Sequence, residues 1–372
     1  MEESGYKSET FTTDYYSTIH QRSDWDLILS EKYGWLVRPL KPFLAFAQSL
    51  FKYDVFFLSY DGFFIGATPL RGMQDFLFKV ASKKVVLIPY GSDAYVYRRI
   101  RSTPWAHALL VSYPEPSRRQ DFIANSLDYW NKCADAVVPG MMGPDGFGRW
   151  DVLTSSSLFL DLEKWSPSVR NSTADGRSAK VVIAHSPNHR GCKGTEFVLH
   201  AVEQLERQGL DIELLLLEKM SNVEVNRILN EETDILVEQL IATGHGLNGL
   251  EGLASGLPTI SNLEDEQYIL SMRRWSFFNE CPLVSASPES LVKVLGKLVT
   301  RPDLRKELGR AGREYVEKYH GFDSAQYLFS KVLDFVHGKK QSLINLYHPI
   351  LGEYPNRSPK IQHPLVNNHI LD

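Results

Sequence analysis

The chain reads as an α/β protein of two domains, each built on a parallel, doubly wound sheet. Three observations predict this. Short apolar runs alternate with longer amphipathic segments, most regularly from Lys180 to His337. Several of those runs are apolar at consecutive positions, as strands covered on both faces are. The length, 372 residues, suits two domains at roughly 100–200 residues each. Between the halves, SPSVRNSTADGRSA (Ser166–Ala179) is small and polar, the composition of a solvated linker. The expected division is residues 1–165, a linker over 166–179, a second domain over 180–338 and a tail over 339–372.

In the first half the candidate strands are Lys7–Thr13, Asp26–Leu29, Tyr53–Tyr60, Lys84–Tyr90 and Ala136–Pro139. The second half opens with a strand over Lys180–His185. A helix over Gly194–Gln208 follows, with Phe197, Val198, Ala201, Val202 and Leu205 on one face. Ile212–Leu217 is the next strand. Ser221-Asn-Val-Glu224 has capping-box spacing and opens a helix to Leu229. Asp234–Gln239, Pro258–Asn262 and Cys281–Ala286 supply further strands. Between the first two, Asn248 as N-cap, Gly256 as C′ residue and Pro258 as stop define a helix of about eight residues. Ser287-Pro288 is expected to open another helix. The tail, with Pro349, Pro355, Pro359 and Pro364, has no periodicity and is expected to drape over the surface.

Composition excludes several classes. Hydrophobic residues at 43% and charged residues at 23% are globular usage, not that of a disordered, collagen-like or coiled-coil chain. A net charge of −4 gives no global field for a polyanion, so a dedicated nucleic-acid binder is not expected. Cys133, Cys192 and Cys281 are far apart and form no CxxC pair, which reads as reduced thiols in the cytoplasm. The opening MEESGYKSET lacks the basic start and apolar stretch of a signal peptide. No apolar run approaches the roughly 18 residues of a spanning helix. Peripheral contact with a membrane surface stays open, through the basic, aromatic stretch Arg98–Arg119.

Two segments carry candidate chemistry. His185-Ser-Pro-Asn-His-Arg190-Gly-Cys-Lys193-Gly-Thr195-Glu196 joins a strand to a helix, the place where open α/β sheets bind ligands. Arg190 and Lys193 offer a guanidinium fork and an ammonium there, a pair suited to a diphosphate or simply to solvent. His185 and His189 have the spacing of a helical metal pair, but Pro187 makes the segment extended and no metal site is expected. The second segment is Gly244-His-Gly246-Leu247-Asn248-Gly249-Leu250-Glu251. Its glycine-rich helix start would aim free amides at an anion, through Gly249 and Leu250. Glu251 has two readings: a capping-box partner three residues after Asn248, or a carboxylate accepting from sugar hydroxyls. The segment also matches GxGxxG, with Glu264-Asp265-Glu266 beyond, although it does not open the first strand–helix turn of its domain as a dinucleotide fingerprint does. In the first half, Tyr90-Gly91-Ser92-Asp93 ends a strand and is either an acceptor-side site or a turn. Asp24-Trp-Asp26 resembles a metal-holding DxD and is read as structural.

HRGCKGTE (His189–Glu196), GLEGLASGLPTIS (Gly249–Ser261) and AGREYVEKYH (Ala311–His320), with weaker landmarks at Gly91-Ser92-Asp93 and Cys133–Val137, resemble the glycosyltransferases of family 4 and their GT-B relatives. The resemblance implies two Rossmann-like domains facing a cleft, a UDP- or GDP-sugar on the second domain and a saccharide or lipid-linked acceptor on the first. It implies transfer of a hexose with retention, no required metal or other cofactor, and a cytoplasmic enzyme. Arg190 and Lys193 match the basic pair that neutralises the leaving diphosphate, and Glu251 matches the second glutamate of the family's pair. Gly246, Leu247, Asn248, Gly249, Leu250, Thr195 and Met220 fall at nucleotide-sugar positions; Tyr90, Gly91, Ser92 and Asp93 fall on the acceptor side. Two departures stand out. The first glutamate of the pair, eight residues before Glu251, is Thr243. The histidine that ends a first-domain strand in the family is Tyr90. The resemblance also begins at Gly5-Tyr6-Lys7, after the family's first strand and glycine-rich loop, which implies a chain that starts late or is truncated. The opposing reading is a degenerate, non-catalytic nucleotide-sugar-binding protein of the same fold.

Overall fold

In a computed structural model, residues 5–13, 15, 22–32, 40–139, 146–168 and 172–371 are described. Part of the expected linker, residues 169–171, lies outside them, as do residues 1–4 of the opening. The chain forms two compact units that are discontinuous in sequence. One comprises residues 1–96, 119–152 and 326–343; the other comprises 97–118, 153–325 and 344–372.

The first unit contains two parallel sheets. A small one pairs β1 (Phe11–Thr12) with β2 (Leu27–Ile28). The other runs β3 (Val55–Leu58), β4 (Lys84–Leu87), β5 (Ala136–Val137) in that order. The strands lie inside the expected spans and are shorter, because the flanking residues turn away to bond elsewhere. Beyond β4, for example, the amides of Tyr90 and Gly91 go to the Asp93 carboxylate. The central strand β4 buries Val85, Val86 and Leu87, as its apolar run requires. Phe46 from helix Lys41–Lys52 and Phe78 from helix Gln74–Val80 meet Phe56 of β3 in an aromatic core closed by Leu127 and Trp130. Asp26 accepts from the amide and hydroxyl of Thr10 at 2.7 and 3.0 Å, which makes it the clasp between the two short strands.

The second unit has one five-stranded parallel sheet: β6 (Val181–His185), β7 (Ile212–Leu216), β8 (Ile235–Thr243), β9 (Thr259–Asn262) and β10 (Val284–Ser285), in the order β10-β9-β8-β6-β7. The chain winds outward from β6 in one direction to β7, then returns and winds in the other through β8, β9 and β10. The reversal lies between β6 and β8, and in such sheets the crevice beyond the carboxyl ends of those strands is the ligand site. Helix Thr195–Arg207 buries Val198, Ala201, Val202 and Leu205 of the expected stripe, but Phe197, expected on the same face, is exposed. Helix Asn222–Glu231 starts from Ser221, whose hydroxyl accepts from the Glu224 amide at 3.3 Å, while the Glu224 carboxylate turns to Arg227. Helix Pro302–Tyr319 packs backbone to backbone on the turn at Gly256: a Cβ at Gly309 would lie 2.0 Å from the Gly256 carbonyl oxygen.

Three expectations change. The helix after Ser287-Pro288 begins at Leu291, with Ser290 at its N-cap; the Ser290 hydroxyl takes the Ser287 amide, which forms a turn first. The eight-residue helix spans Leu247–Ala254 with Gly246, not Asn248, at its N-cap. The tail is integrated into its unit. Tyr347, Tyr354, Ile361 and Leu365 are buried, and Asn368 donates to the Cys281 and Leu283 carbonyls at 2.8 and 2.9 Å. Its anchors are single residues in irregular backbone, which is why no period announced them. Among the described residues no helix is long and apolar enough to cross a membrane.

Candidate functional site

The loops that follow β6 and β8 are the two segments singled out in the sequence, and the strand order brings both to the reversal of the second sheet. β6 ends in His185, which is fully buried. Its Nδ1 lies 2.7 Å from the Val237 carbonyl and its Nε2 2.9 Å from the Thr195 hydroxyl. A carbonyl only accepts, so Nδ1 carries the proton and Nε2 accepts from Thr195. Burial holds this imidazole neutral, lowering its pKa to about 4. His185 and Thr195 thus lock strand to helix beneath the site. His189 packs against Tyr113 with ring centroids 4.2 Å apart and planes tilted by 50°. Among the described residues no group of three or more His, Cys, Asp or Glu is placed to hold a metal ion.

Arg190 and Lys193 start and end a single turn of helix, closed by Gly194 at φ 73°. They face different partners. Arg190 is half exposed and forks onto Glu218 with bonds of 2.8 and 2.9 Å, while its third nitrogen reaches Glu196 at 2.7 Å. Those bonds, Glu218 first, raise the guanidinium pKa and lower that of Glu218. Lys193 turns inward, 12% exposed, and donates to Glu238 Oε1 and Gln239 Oε1, both at 2.9 Å.

Glu238 was not among the sequence candidates. It is fully buried and its Oε1 also takes the Gly246 amide at 2.7 Å, while Oε2 accepts from Ser261 at 3.2 Å. The glycines of the next loop make room for it. A Cβ on Gly249 would come within 2.7 Å of Glu238 Oε2, and one on Gly246 within 3.1 Å of Oε1 and 3.7 Å of the Lys193 ammonium. One signal was present: a glutamate and a glutamine inside an apolar strand that must be covered on both faces.

Helix Leu247–Ala254 therefore begins beside the Lys193 ammonium. With Leu247 as its first residue, the amides left without an acceptor in the helix are those of Leu247, Asn248 and Gly249. The Leu250 amide faces the Gly246 carbonyl one turn back and is not one of them, which shifts the expected anion contact by one residue. One turn into the helix, Glu251 is buried, its oxygens accepting from Asn222 at 3.0 Å and Asn248 at 3.1 Å. It is no capping-box partner, since Asn248 is inside the helix and meets it through the side-chain amide. Burial raises the Glu251 pKa against those two bonds. Among the described residues Asn248 Oδ1 and His245 Nε2 are buried with no partner, so the site retains polar atoms that none of those residues satisfies. Met220 is exposed two residues before Asn222. Thr243 ends β8 opposite Asn262 and places no carboxylate there.

The first-unit candidates form a turn. Asp93 is buried and accepts from the amides of Tyr60 (3.0 Å), Tyr90 (3.1 Å) and Gly91 (2.8 Å), joining the ends of β3 and β4. Gly91 has φ 142°. Burial outweighs those bonds and raises the Asp93 pKa to about 6. Tyr90 is exposed and donates to Asp61 at 2.5 Å, and Ser92 is half-buried between them.

No protein-family model matches the chain, and no curated protein matches it. Among solved structures, sucrose-phosphate synthase from Thermosynechococcus elongatus aligns with a TM-score of 0.47 and 13% identity over 82% of this chain and 80% of that one. The wall teichoic acid polymerase TagF aligns with a TM-score of 0.28 and 11% identity over 82% of this chain and 99% of that one. At that distance neither carries a statement about function, which rests on the chain's own residues.

Proposed function

We propose that the chain is a retaining glycosyltransferase that moves a hexose from a UDP- or GDP-sugar to a hydroxyl of a saccharide or lipid-linked acceptor. One observation carries the proposal: at the reversal of the second sheet an ammonium (Lys193) and the open amides of Leu247–Gly249 stand together, one helical turn from a buried carboxylate (Glu251). The cation and the amides are complementary to a diphosphate. Glu251, with lone pairs beyond the two its asparagines use, is complementary to ribose hydroxyls.

In the transfer the C1–O bond to the diphosphate breaks and a bond from C1 to the acceptor oxygen forms. The acceptor proton passes to the departing phosphate oxygen. Lys193 and the helix amides take up the charge that develops on that phosphate, the electrostatic term that dominates many such reactions. Arg190 reinforces them at the mouth of the loop, exchanging one of its two carboxylates for a phosphate oxygen. The reading requires no metal. Tyr90–Asp93 form the acceptor-side turn, in which Asp93 shapes the backbone and the exposed Tyr90 offers the contact.

A second reading has a specific observation behind it. Thr243 supplies no carboxylate, and both cations already hold carboxylate partners within the chain, as in a binding protein without turnover. Calorimetric titration with UDP-glucose and GDP-mannose, followed by assay of sugar release with an acceptor panel, separates the two. Binding with release is the expected result; binding without release selects the degenerate protein.

A further inference from the structure

We propose that Glu238 is the positioning residue of this site, fixing the Lys193 ammonium beside the start of helix Leu247–Ala254 with one N–H left for an incoming phosphate oxygen. The inference rests on the diphosphate-binding reading above and adds to it a residue that the family resemblance does not supply.

It starts from the register of β8 on β9. Val237 pairs with Ile260 and Gln239 with Ser261, so Glu238 is an extra residue with no opposite number, a β-bulge. In a regular strand neighbouring side chains point to opposite faces. The bulge breaks that alternation, and the consecutive Glu238 and Gln239 both reach the same ammonium. Each is fixed in turn. Glu238 is held by the Gly246 amide and the Ser261 hydroxyl; Gln239 donates to the Ala242 and Gly244 carbonyls at 3.1 and 2.8 Å. An ammonium has three N–H donors. Two are taken by these acceptors, and the side chain keeps 12% exposure. Glu238 Oε1 bonds both Lys193 and the N-cap residue of the helix, so a single carboxylate sets the distance between the cation and the helix amides. Pre-positioned charge of this kind needs no reorganisation when a phosphate arrives.

The test uses the full chain and two readouts. The first is the rate at which an N-hydroxysuccinimide ester acetylates Lys193, followed by peptide mass spectrometry. The second is calorimetric affinity for UDP, GDP and inorganic pyrophosphate. In Glu238→Gln, which keeps the shape and removes the charge, Lys193 acetylation should rise and diphosphate affinity should fall, each about ten-fold, as for a lost charged hydrogen bond. On a Lys193→Ala background the same change should cost no further affinity. An unchanged acetylation rate, or a full additional loss on that background, overturns the proposal. Gln239→Ala withdraws the neutral acceptor, together with the bonds to the Ala242 and Gly244 carbonyls, and should raise acetylation by itself; if Glu238→Gln does not fold, an unchanged rate in Gln239→Ala overturns the proposal. Acetylation that rises in a protein binding none of the three probes supports the placement of Lys193 and sinks the transferase reading instead.

Discussion

Each unit holds a buried carboxylate beside the carboxyl ends of its parallel strands, and the two are used differently. Asp93 in the first unit accepts from three backbone amides; it closes a turn. Glu238 in the second faces one amide, one hydroxyl and one ammonium; it ties a charged side chain to a helix start. A strand end becomes a candidate site when its buried charge is spent on side chains that can also meet a ligand. A carboxylate wholly engaged with backbone is scaffold.

The largest expected effect breaks the second-unit arrangement. Lys193→Ala leaves Glu238 charged and unpaired at zero exposure, which should cost about 3–5 kcal/mol of stability. A urea melt checks it, and a loss near zero would mean that Glu238 is satisfied without Lys193. Next comes the pH dependence of the first unit. The Asp93 pKa is about 6 in the folded protein, above the roughly 3.9 of an unfolded chain. The folded state therefore binds the extra proton between those values, and this contribution is fully present below about pH 4 and lost as pH rises through about 6. Wild-type stability relative to Asp93→Asn should fall by on the order of 2–3 kcal/mol across that window. Denaturant melts from pH 4 to pH 7 that rise instead would show the amides outweighing burial.

Glu251→Gln sharpens the comparison inside the second unit. It should weaken nucleotide affinity by about 1–3 kcal/mol, the scale of a lost charged hydrogen bond. Equal affinity would return Glu251 to holding Asn222 and Asn248 together. The smallest effect on stability belongs to Arg190→Ala, which should leave the urea midpoint nearly unchanged, because the guanidinium and its two carboxylates are substantially exposed. The same variant should still slow transfer. A marked drop in melting temperature would make Arg190 structural.

Much of this was legible in the sequence. The second-unit strands and the helix stripe of Val198, Ala201, Val202 and Leu205 follow from periodicity, and the loops after β6 and β8 are marked by glycine and basic residues. What escaped has physical causes. Asn248 is as good an N-cap residue as any, but the Gly246 amide is captured by Glu238, and the helix starts two residues earlier. Glu238 meets Lys193 only because a bulge re-aims it, and a bulge leaves no period to read. The tail is held by isolated residues such as Asn368 and Tyr347, whose partners are distant in sequence. Asp93 was visible as part of a Gly-Ser-Asp turn; that it also clasps Tyr60 depends on β3 and β4 being neighbours.

The most direct test of the central claim is calorimetric titration of the full chain with UDP and GDP, in parallel for wild type and Glu251→Gln. The account predicts that one of the two nucleotides binds the wild type, and binds Glu251→Gln about ten-fold or more weakly. Binding of neither, or equal binding to both proteins, would contradict a nucleotide site at the reversal of the second sheet.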